Sequence, residues 1–476
     1  MISPRRAVSI LVALWVAVPC LVSADAVDDH VRAAMDKQKI PGLSLAVARE
    51  GTPVRVQGYG LANVELGVPA TAETVYQSGS VGKQFTAAGI LLLAEEGKLS
   101  LDDPLSRHFP TGPAAWHRIR IRHLLSHTSG LKDYGEDEID FRRDYSEEEL
   151  LRTAMRVPLE FEPGTQWSYS NTGYLVLGLL TSKLSGRHWS QFQQERIFTP
   201  IGMSTTRLIS ESDIVQNRAG GYVLDDKGVL RNQQWVAPTL NTLGDGALYF
   251  TVKDLLAWDV ALRERRLLRP ESFEAWWTPV VLSGGASYPY GFGWGLAEQR
   301  GRRLIEHGGA WQGFRAAIAR YVEDGLTVAV LANLANARPE TIAHEVAGIL
   351  VESLRLPDPG RPNRDPDPAR TTRLTGVLSA WAEGRVVPDM GRGLAATATG
   401  SVREALGRKR TGDRLAALKT FAWLGDDDLA SRPIAWRGET VTRIAHYVLE
   451  TAEARHAYRF YLASDGRVAD FVSEER

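Results

Sequence analysis

The chain of 476 residues contains a single cysteine, Cys20. One thiol cannot form an internal disulfide, and it cannot supply a zinc site built from several thiolates. Cys20 also lies in an N-terminal segment that we expect to be removed from the mature protein. The mature protein then has no thiol, which excludes a cysteine nucleophile and leaves side-chain packing as the source of stability.

An excess of charge of either sign is also missing. Lysine and arginine number 56, aspartate and glutamate number 57, and the formal net charge is −1. Proteins that bind nucleic acid carry basic patches that show as a positive balance, so we expect no nucleic-acid partner. With 44% apolar and 24% charged residues, the composition is typical of a globular protein.

The N-terminus carries a long apolar run. Arg5 and Arg6 precede apolar residues from 7 to 22, and Val22-Ser23-Ala24 places small residues where signal peptidases cleave. We interpret residues 1–24 as a signal peptide, which predicts a periplasmic or secreted protein with no stable membrane span after cleavage. An uncleaved membrane anchor is the second interpretation, although the run is short for a spanning helix.

The rest of the chain divides at a polar stretch with five prolines between positions 356 and 368. Such segments form extended linkers. Before it, helix and strand patterns at both ends enclose a mainly helical middle, which predicts one α/β sheet built from distant chain segments and a helical lobe. We therefore predict a signal peptide (1–24), a main domain (25–355), a linker (356–368) and a small α+β domain (369–476). The pattern of the last domain faintly resembles the cone-shaped nuclear-transport-factor-like fold.

Two Ser-x-x-Lys pairs are candidates for a catalytic serine and its base, Ser80 with Lys83 and Ser129 with Lys132. A spacing of three brings both side chains to one face of a helix. Ser80 opens a long apolar helical pattern, whose free N–H groups and positive dipole end favour negative charge on the serine oxygen. Ser129 lies in His127-Thr128-Ser129-Gly130, which is typical of a turn. The spacing favours neither pair, but the setting favours Ser80.

Ser80 also begins a series of motifs that follow one another along the chain. The motifs are Ser78-Gly79-Ser80-Val81-Gly82-Lys83-Gln84-Phe85-Thr86, Leu99-Ser100-Leu101-Asp102-Asp103-Pro104, His123-Leu124-Leu125-Ser126-His127-Thr128-Ser129-Gly130-Leu131, Pro163-Gly164, Tyr169-Ser170-Asn171, Tyr290-Gly291-Phe292-Gly293-Trp294 and His307-Gly308-Gly309. In content and order, the series resembles the family of class C β-lactamases, D,D-peptidases and related esterases. The resemblance implies a β-lactamase/transpeptidase-like fold, with an antiparallel sheet flanked by helices and a mainly helical lobe.

The resemblance makes Ser80 the nucleophile of an exported serine hydrolase, with Lys83 and Tyr169 as its proton handlers. Free lysine and tyrosine both titrate at about pH 10, so either needs a lowered pKa to act as a base at neutral pH. Which of them accepts the proton first is disputed in this superfamily, and we assign the role jointly.

The resemblance also assigns substrate binding to Asn171, His307, Gly308, Gly309 and Ala310. The backbone N–H groups of Ser80 and Ala310 would bind the oxyanion of the tetrahedral intermediate. Glycine at 308 and 309 would permit close approach of substrate to the strand. Trp294 and Trp311 are the tryptophans that we expect in the cleft.

His307 departs from the β-lactamases of the family, which have lysine at this position. When protonated, a histidine can donate to a substrate carboxylate, but its charge would vary with pH near neutrality. We therefore expect weak or no β-lactamase activity, and peptidase or esterase use instead.

The predicted function is acyl transfer without metal or organic cofactor, on a D-amino-acid peptide, a cell-wall fragment or an ester. The rival is a penicillin- or peptidoglycan-binding sensor that acylates without turnover. A third interpretation makes the C-terminal domain the functional module on a degenerate hydrolase scaffold. His123 and His127 have the spacing of two zinc ligands on one helix, but the glutamate of His-Glu-x-x-His is missing. The oligomeric state does not follow from the sequence.

Overall fold

The computed structural model describes residues 21–135, 138–237, 244–399 and 402–475. The first 20 residues of the predicted signal peptide lie outside these ranges. The helices are α1 (Leu21–Gln38), α2 (Lys83–Glu95), α3 (Leu105–His108), α4 (Ile121–Leu125), α5 (Glu147–Arg156), α6 (Asn171–Ser185), α7 (Trp189–Gln193), α8 (Thr199–Ile201), α9 (Val252–Arg263), α10 (Pro270–Trp276), α11 (Pro339–Leu350), α12 (Pro368–Ala382), α13 (Arg392–Ala398) and α14 (Val402–Ala416). Short 3-10 turns lie at Gly79–Gly82, Ala114–His117 and Glu352–Leu354, and a π-helical turn lies at Gln194–Phe198.

The strands form antiparallel sheets. They are β1 (Gly42–Arg49), β2 (Thr52–Asn63), β3 (Val68–Pro69), β4 (Tyr76–Gln77), β5 (Arg207–Leu208), β6 (Tyr222–Leu224), β7 (Leu230–Asn232), β8 (Leu248–Phe250), β9 (Val280–Val281), β10 (Ser287–Tyr288), β11 (Gly295–Gln299), β12 (Arg302–Trp311), β13 (Phe314–Tyr321), β14 (Leu326–Ala332), β15 (Thr420–Asp428), β16 (Ile434–Trp436), β17 (Glu439–Glu450), β18 (Arg455–Ala463) and β19 (Val468–Glu475). The largest sheet has seven strands in the order β11-β12-β13-β14-β1-β2-β3.

This sheet joins the two ends of the segment that precedes the proline-rich stretch. β1 lies between β2 and β14, and its register pairs Leu43 with Ala332 and Arg49 with Leu326. β14 is buried along its whole length because both faces are covered. Leu45 and other residues of one face pack on α1 and α11, whereas Ala46 and its neighbours of the other face belong to the core shared with α2 and α9.

A buried carboxylate ties the helical layer to the sheet. Asp259 of α9 has no exposed surface, and its Oδ1 atom accepts from Arg320 Nε and from Thr327 Oγ1, both at 2.7 Å. Its Oδ2 atom accepts from Arg263 Nε at 3.1 Å. Arg320 lies on β13 and Thr327 on β14, so one carboxylate joins α9 to two central strands.

In the described residues from 368 to 475, the C-terminal part contains three helices and a five-stranded antiparallel sheet with its own apolar core. β15 ends in Asp426, Asp427 and Asp428, an unusual composition because aspartate is depleted in strands. Asp426 is paired with Arg370 at 2.9 Å, and Asp427 with His446 at 2.9 Å, which offsets the cost of placing them in a sheet. The domain boundaries and the nuclear-transport-factor-like fold stay predictions.

The C-terminal sheet contacts the rest of the chain directly. Arg300, in the turn between β11 and β12, is paired with Asp427, and Arg432 lies 2.6 Å from Glu323. The proline-rich stretch has no helix or strand before Pro368. No helix in the described residues is both long and apolar enough to cross a membrane.

Replacing Asp259 with alanine should destabilise the fold by about 3–5 kcal/mol, because it leaves Arg320 as a buried unpaired charge. Urea unfolding followed by circular dichroism measures this change in the free energy of unfolding. The control is Asp413→Ala, which removes the exposed pair with Lys409 and should cost less than about 1 kcal/mol. Equal losses in the two variants would contradict a central role for Asp259.

Candidate active site

Ser80 lies in the 3-10 turn that leads directly into α2. This turn packs against β12, backbone to backbone. Gly79 has a left-handed backbone with φ of +50°, and a Cβ atom there would overlap the backbone nitrogen of Ala310. A Cβ atom on Gly309 would overlap the carbonyl oxygen of Ser78. Both positions therefore require glycine, and their contact holds the nucleophile turn against the strand.

The two glycines of β12 line the cavity, and protein groups also lie directly against them. Ser78 fills the space beside Gly309, and the carboxylate of Glu340 fills the space beside Gly308. Ala310, the next residue of the strand, is exposed and also lines the cavity. Glycine at these two positions lets protein groups reach the strand.

Lys83 is completely buried and lies behind Ser80. Its Nζ atom donates to Ser80 Oγ at 3.1 Å, to Asn171 Oδ1 at 2.7 Å and to the carbonyl oxygen of Asp245 at 2.7 Å. A lysine ammonium has three protons, which match these three acceptors. The structure thus brings Ser80, Lys83 and Asn171 together, with Lys83 as the donor.

The aromatic ring of Tyr169 contacts the ammonium group of Lys83. Lys83 Nζ lies 4.9 Å from the centroid of the ring, within the range of a cation–π contact. The Tyr169 hydroxyl is buried and forms no hydrogen bond with any of the described residues. Tyr169 therefore lies beside the lysine, and its hydroxyl is not engaged by another described residue.

Two carboxylates that the sequence did not single out complete this cluster. Asp133 accepts from the backbone N–H of Asn171 at 2.6 Å and from its Nδ2 at 3.1 Å. Asp245 accepts through Oδ2 from the Tyr134 hydroxyl at 2.5 Å. Burial raises the pKa of both carboxyl groups. Neither aspartate belongs to a motif with a local signal, since their positions depend on how distant segments meet.

The second Ser-x-x-Lys pair does not form a comparable site. Ser129 Oγ accepts from the Leu131 N–H at 3.3 Å within a turn, and Lys132 lies 2.7 Å from Glu138. Ser129 thus has the structural role that its setting predicted.

His307 belongs to a chain of hydrogen bonds behind Tyr169. Its Nδ1 lies 2.6 Å from the Gly308 carbonyl oxygen, so Nδ1 carries the proton and Nε2 accepts from the Tyr290 hydroxyl at 2.8 Å. The Tyr290 oxygen in turn accepts from His127 Nε2 at 3.2 Å, because His127 Nδ1 accepts from the Ser170 N–H at 3.1 Å. When both imidazoles are neutral, each of these hydrogen bonds has one donor and one acceptor.

These hydrogen bonds change the expectation for the charge of His307. Desolvation lowers the pKa of His307 to about 4, so the ring is neutral throughout the neutral range. Both ring nitrogens are already bonded, and neither offers a proton to a substrate carboxylate. The expectation of a charge that varies near neutrality is therefore wrong.

His123 and His127 do not lie on one helix as a zinc pair would. α4 ends at Leu125, and His127 follows it with a left-handed φ of +58°. His123 Nδ1 accepts from the Arg120 N–H at 3.2 Å at the start of that helix. The two rings thus serve separate structural contacts.

A cavity of about 670 Å³ opens beside Ser80. It contains every predicted site residue except Lys83, which lies behind the wall. Trp311 lines it as expected, but Trp294 is completely buried in the core beside Trp276. The cavity is lined by Gly79, Ser80, Asp133, Tyr134, Phe141, Tyr169, Asn171, Asp245, Gly246, His307, Gly308, Gly309, Ala310, Trp311, Gln312, Arg315, Ala337 and Glu340.

Aromatic contacts connect this wall to the C-terminal sheet. Trp167, two residues before Tyr169, stacks on Tyr288 of β10 with ring centroids 4.1 Å apart. The guanidinium of Arg437, in the turn between β16 and β17, lies 5.3 Å from the Tyr288 ring centroid. The C-terminal sheet therefore supports the segment that carries Tyr169.

Replacing Tyr290 with phenylalanine removes a donor from His307 and an acceptor from His127. Leaving buried polar groups unsatisfied costs about 1–3 kcal/mol, and the variant should lose that much in its free energy of unfolding. Chemical denaturation measures the loss. Tyr288→Phe is the matched control, because it keeps the stack on Trp167 and loses a long, half-buried hydrogen bond from Arg437 at 3.4 Å, so it should change stability less. An unchanged Tyr290→Phe variant would mean that the chain of hydrogen bonds does not form.

Comparisons with known proteins agree with this architecture. A family model described as Beta-lactamase matches residues 27–351. Penicillin-binding protein 4* of Bacillus subtilis (strain 168) is 32% identical over 315 residues, which cover 63% of this chain and 69% of that protein. A D-aminopeptidase of Gluconobacter oxydans (strain 621H) is 29% identical over 380 residues, which cover 75% of this chain and 69% of that protein.

A solved structure also covers nearly the whole chain. The octameric penicillin-binding protein homologue from Pyrococcus abyssi has a TM-score of 0.62 at 23% identity, over 94% of this chain and 99% of that chain. This likeness supports the fold alone. The β-lactamase/transpeptidase-like fold is thereby confirmed, and because the family model matches well over half of its residues, the chain belongs to the beta-lactamase family.

Proposed function

We propose that the chain is a serine hydrolase that acts through an acyl-Ser80 intermediate on small amides or esters. The observation that carries the proposal is the 3.1 Å contact between Lys83 Nζ and Ser80 Oγ at the wall of the cavity. A serine becomes nucleophilic when a neighbouring group takes its proton, and such a group has to lie within hydrogen-bond reach. Relatives named as a D-aminopeptidase and a penicillin-binding protein support the same chemistry.

In the proposed reaction, the Lys83 and Tyr169 pair has first lost one proton to solvent. Ser80 Oγ then attacks the substrate carbonyl while its own proton passes to that pair. The negative oxygen forms beside the backbone N–H groups of Ser80 and Ala310, which act as the oxyanion donors. Collapse breaks the bond to the leaving group, which takes the proton and departs. Water then attacks the acyl-serine, its proton passes to the same pair, and Ser80 is regenerated with release of the acid.

The charges around the cavity favour amides and esters over β-lactams. Penicillins carry a carboxylate, but His307 is neutral. Three of the charged side chains on the cavity wall are acidic (Asp133, Asp245 and Glu340), and Arg315 is the basic one. A carboxylate on the substrate would be repelled by the three acidic groups unless they are protonated. We therefore propose weak or no β-lactamase activity, with D-amino-acid peptides and amides as the substrate class. Export through the predicted signal peptide is part of the proposal.

The rival function is a sensor that is acylated and does not turn over. It shares the nucleophile and differs only in deacylation, the step in which the proton of the attacking water passes to the Lys83 and Tyr169 pair. The Tyr169 hydroxyl has no hydrogen-bonded partner among the described residues. The two functions therefore differ in the fate of the acyl group and can be separated by mass.

Intact-mass analysis after exposure to a phosphonate serine probe and to p-nitrophenyl acetate tests the proposal. The expected result is one adduct on the native chain, none on Ser80→Ala, and continued release of p-nitrophenol. Ser129→Ala, which changes the other Ser-x-x-Lys serine, is the matched control and should label like the native chain. A lasting adduct without turnover would favour the sensor, and labelling of Ser80→Ala would overturn the assignment.

Lys83→Met should slow acylation by about 10²- to 10⁴-fold, the usual contribution of a positioned acid–base group. The burst of p-nitrophenol in stopped flow measures this rate directly. Lys132→Met is the matched control and should retain the native rate. Retention of fast acylation by Lys83→Met would contradict the joint assignment of Lys83 and Tyr169.

A further inference from the structure

Two of the three oxygens around the Lys83 ammonium can only accept hydrogen bonds. The Nζ atom donates to Ser80 Oγ at 3.1 Å, to Asn171 Oδ1 at 2.7 Å and to the Asp245 carbonyl oxygen at 2.7 Å. A serine hydroxyl can also donate, whereas an amide or carbonyl oxygen cannot. Once Lys83 has lost a proton, its two remaining N–H groups therefore bind Asn171 and Asp245, and its lone pair faces Ser80. This is the direction that a base for Ser80 needs.

The carbonyl oxygen of Asp245 is fixed by backbone packing. The next residue, Gly246, lies against the nucleophile turn, where a Cβ atom would overlap the Gly79 carbonyl oxygen. The Ser78 hydroxyl donates to the Gly246 carbonyl oxygen at 2.6 Å. This acceptor belongs to the main chain, so it presents an oxygen to Lys83 whatever the side chains around it do.

The side-chain amide of Asn171 has two different ends and needs a partner to fix its orientation. A half turn about its last side-chain bond exchanges Oδ1 for Nδ2, which is a donor. A donor beside Lys83 would repel the ammonium, and it would bind the lone pair of the neutral amine in place of Ser80. Lys83 can therefore act as the base for Ser80 only while Oδ1 faces it.

Asp133 determines which end of that amide faces the lysine. Its Oδ1 atom accepts from the Asn171 backbone N–H at 2.6 Å, and its Oδ2 atom accepts from Nδ2 at 3.1 Å. An ionised carboxylate has only acceptors, so Nδ2 has to face Asp133 and Oδ1 has to face Lys83. Burial raises the pKa of Asp133, whereas the Asn171 N–H and the charge of Lys83 favour its ionised form.

We propose that Asp133 is a positioning residue of the hydrolase, which holds the Asn171 amide so that the lone pair of neutral Lys83 faces Ser80. The inference rests on the proposed hydrolase function and adds a residue to its proton-transfer machinery. Asp133 acts through Asn171, so its effect falls on the rate of acylation and not on the binding of substrate.

The burst of p-nitrophenol from p-nitrophenyl acetate in stopped flow tests this role. Asp133→Asn keeps an oxygen for the backbone N–H at the start of α6, but it allows the Asn171 amide to turn. The maximal burst rate should fall by about 10- to 100-fold, which is part of the contribution of about 10²- to 10⁴-fold from a positioned base. The substrate concentration at half-maximal burst rate should stay unchanged.

Asp140→Asn is the matched control, because it makes the same chemical change at an exposed position. Asp140 accepts from the Arg142 N–H at 3.0 Å and does not line the cavity. The variant should keep the native burst rate.

Exchanging the two residues separates positioning from a general effect on the fold. In the double variant Asp133→Asn/Asn171→Asp, the new amide at position 133 can donate to the new carboxylate at position 171, whose other oxygen faces Lys83. An acceptor is then restored beside the lysine, and the burst rate should rise above that of Asp133→Asn. A purely structural role predicts that the losses of the two single changes accumulate instead.

Three results would overturn the inference. They are a native burst rate in Asp133→Asn, a loss confined to the substrate concentration at half-maximal rate, and a double variant that is no faster than Asp133→Asn. Absence of a Ser80 adduct with the phosphonate probe in the native chain would instead overturn the hydrolase function, and the inference with it.

A measurement on the native chain decides the matter if Asp133→Asn does not fold. Isotope-labelled asparagine gives side-chain amide signals in nuclear magnetic resonance spectra, and the signal that is absent in Asn171→Asp belongs to Asn171. Its Nδ2 protons should exchange slowly with deuterium, because Nδ2 donates to a half-buried carboxylate. Exchange as fast as that of an exposed asparagine would contradict the proposed orientation.

Discussion

The contact between the Ser80 turn and β12 is the constraint on which the site depends. Gly79 and Gly309 bring two backbones together without an intervening side chain, and Ala310 lies at this junction. An oxyanion site made of two backbone N–H groups works only when the groups are held before substrate arrives. The glycines supply that fixed spacing, and the seven-stranded sheet supplies the rigidity behind it.

Around this junction, a lysine lies on one side of Tyr169 and a series of neutral side chains lies on the other. Lys83 is the buried cation of the nucleophile, and its acceptors are oxygens of Ser80, Asn171 and Asp245. On the other side of Tyr169, His127, Tyr290 and His307 form a neutral chain. A neutral chain orients its side chains through hydrogen bonds alone and adds no further cation to the wall of the cavity. His307 thus orients its neighbours through hydrogen bonds and does not supply a charge at this place in the motif series.

Much of this arrangement could be predicted from the sequence because its signals are local. β13 and β14 begin and end at the residues where their apolar runs do, and the Ser80 turn precedes an apolar helix. Seven of the eight residues that the resemblance assigns to the site line one cavity. Asp133, Asp245 and Glu340 could not be found in this way, because each is a single acidic residue whose importance comes from contacts with distant segments. The expectation that Trp294 lies in the cleft was wrong for a related reason, because a motif does not show whether a side chain beside a strand faces the core.

The pairing of β1 with β14 has a consequence for how the chain is made. Arg49 and Leu326 are partners in the sheet, so one edge of β1 has no native partner until the chain has grown past residue 326. At typical synthesis rates the delay is on the order of 15 to 55 s. During that time the backbone groups of an apolar strand are open to other chains, which is the usual route to aggregation. The same long-range pairing that closes the sheet around Ser80 leaves this edge of β1 exposed in the nascent chain until Ala332 has been made.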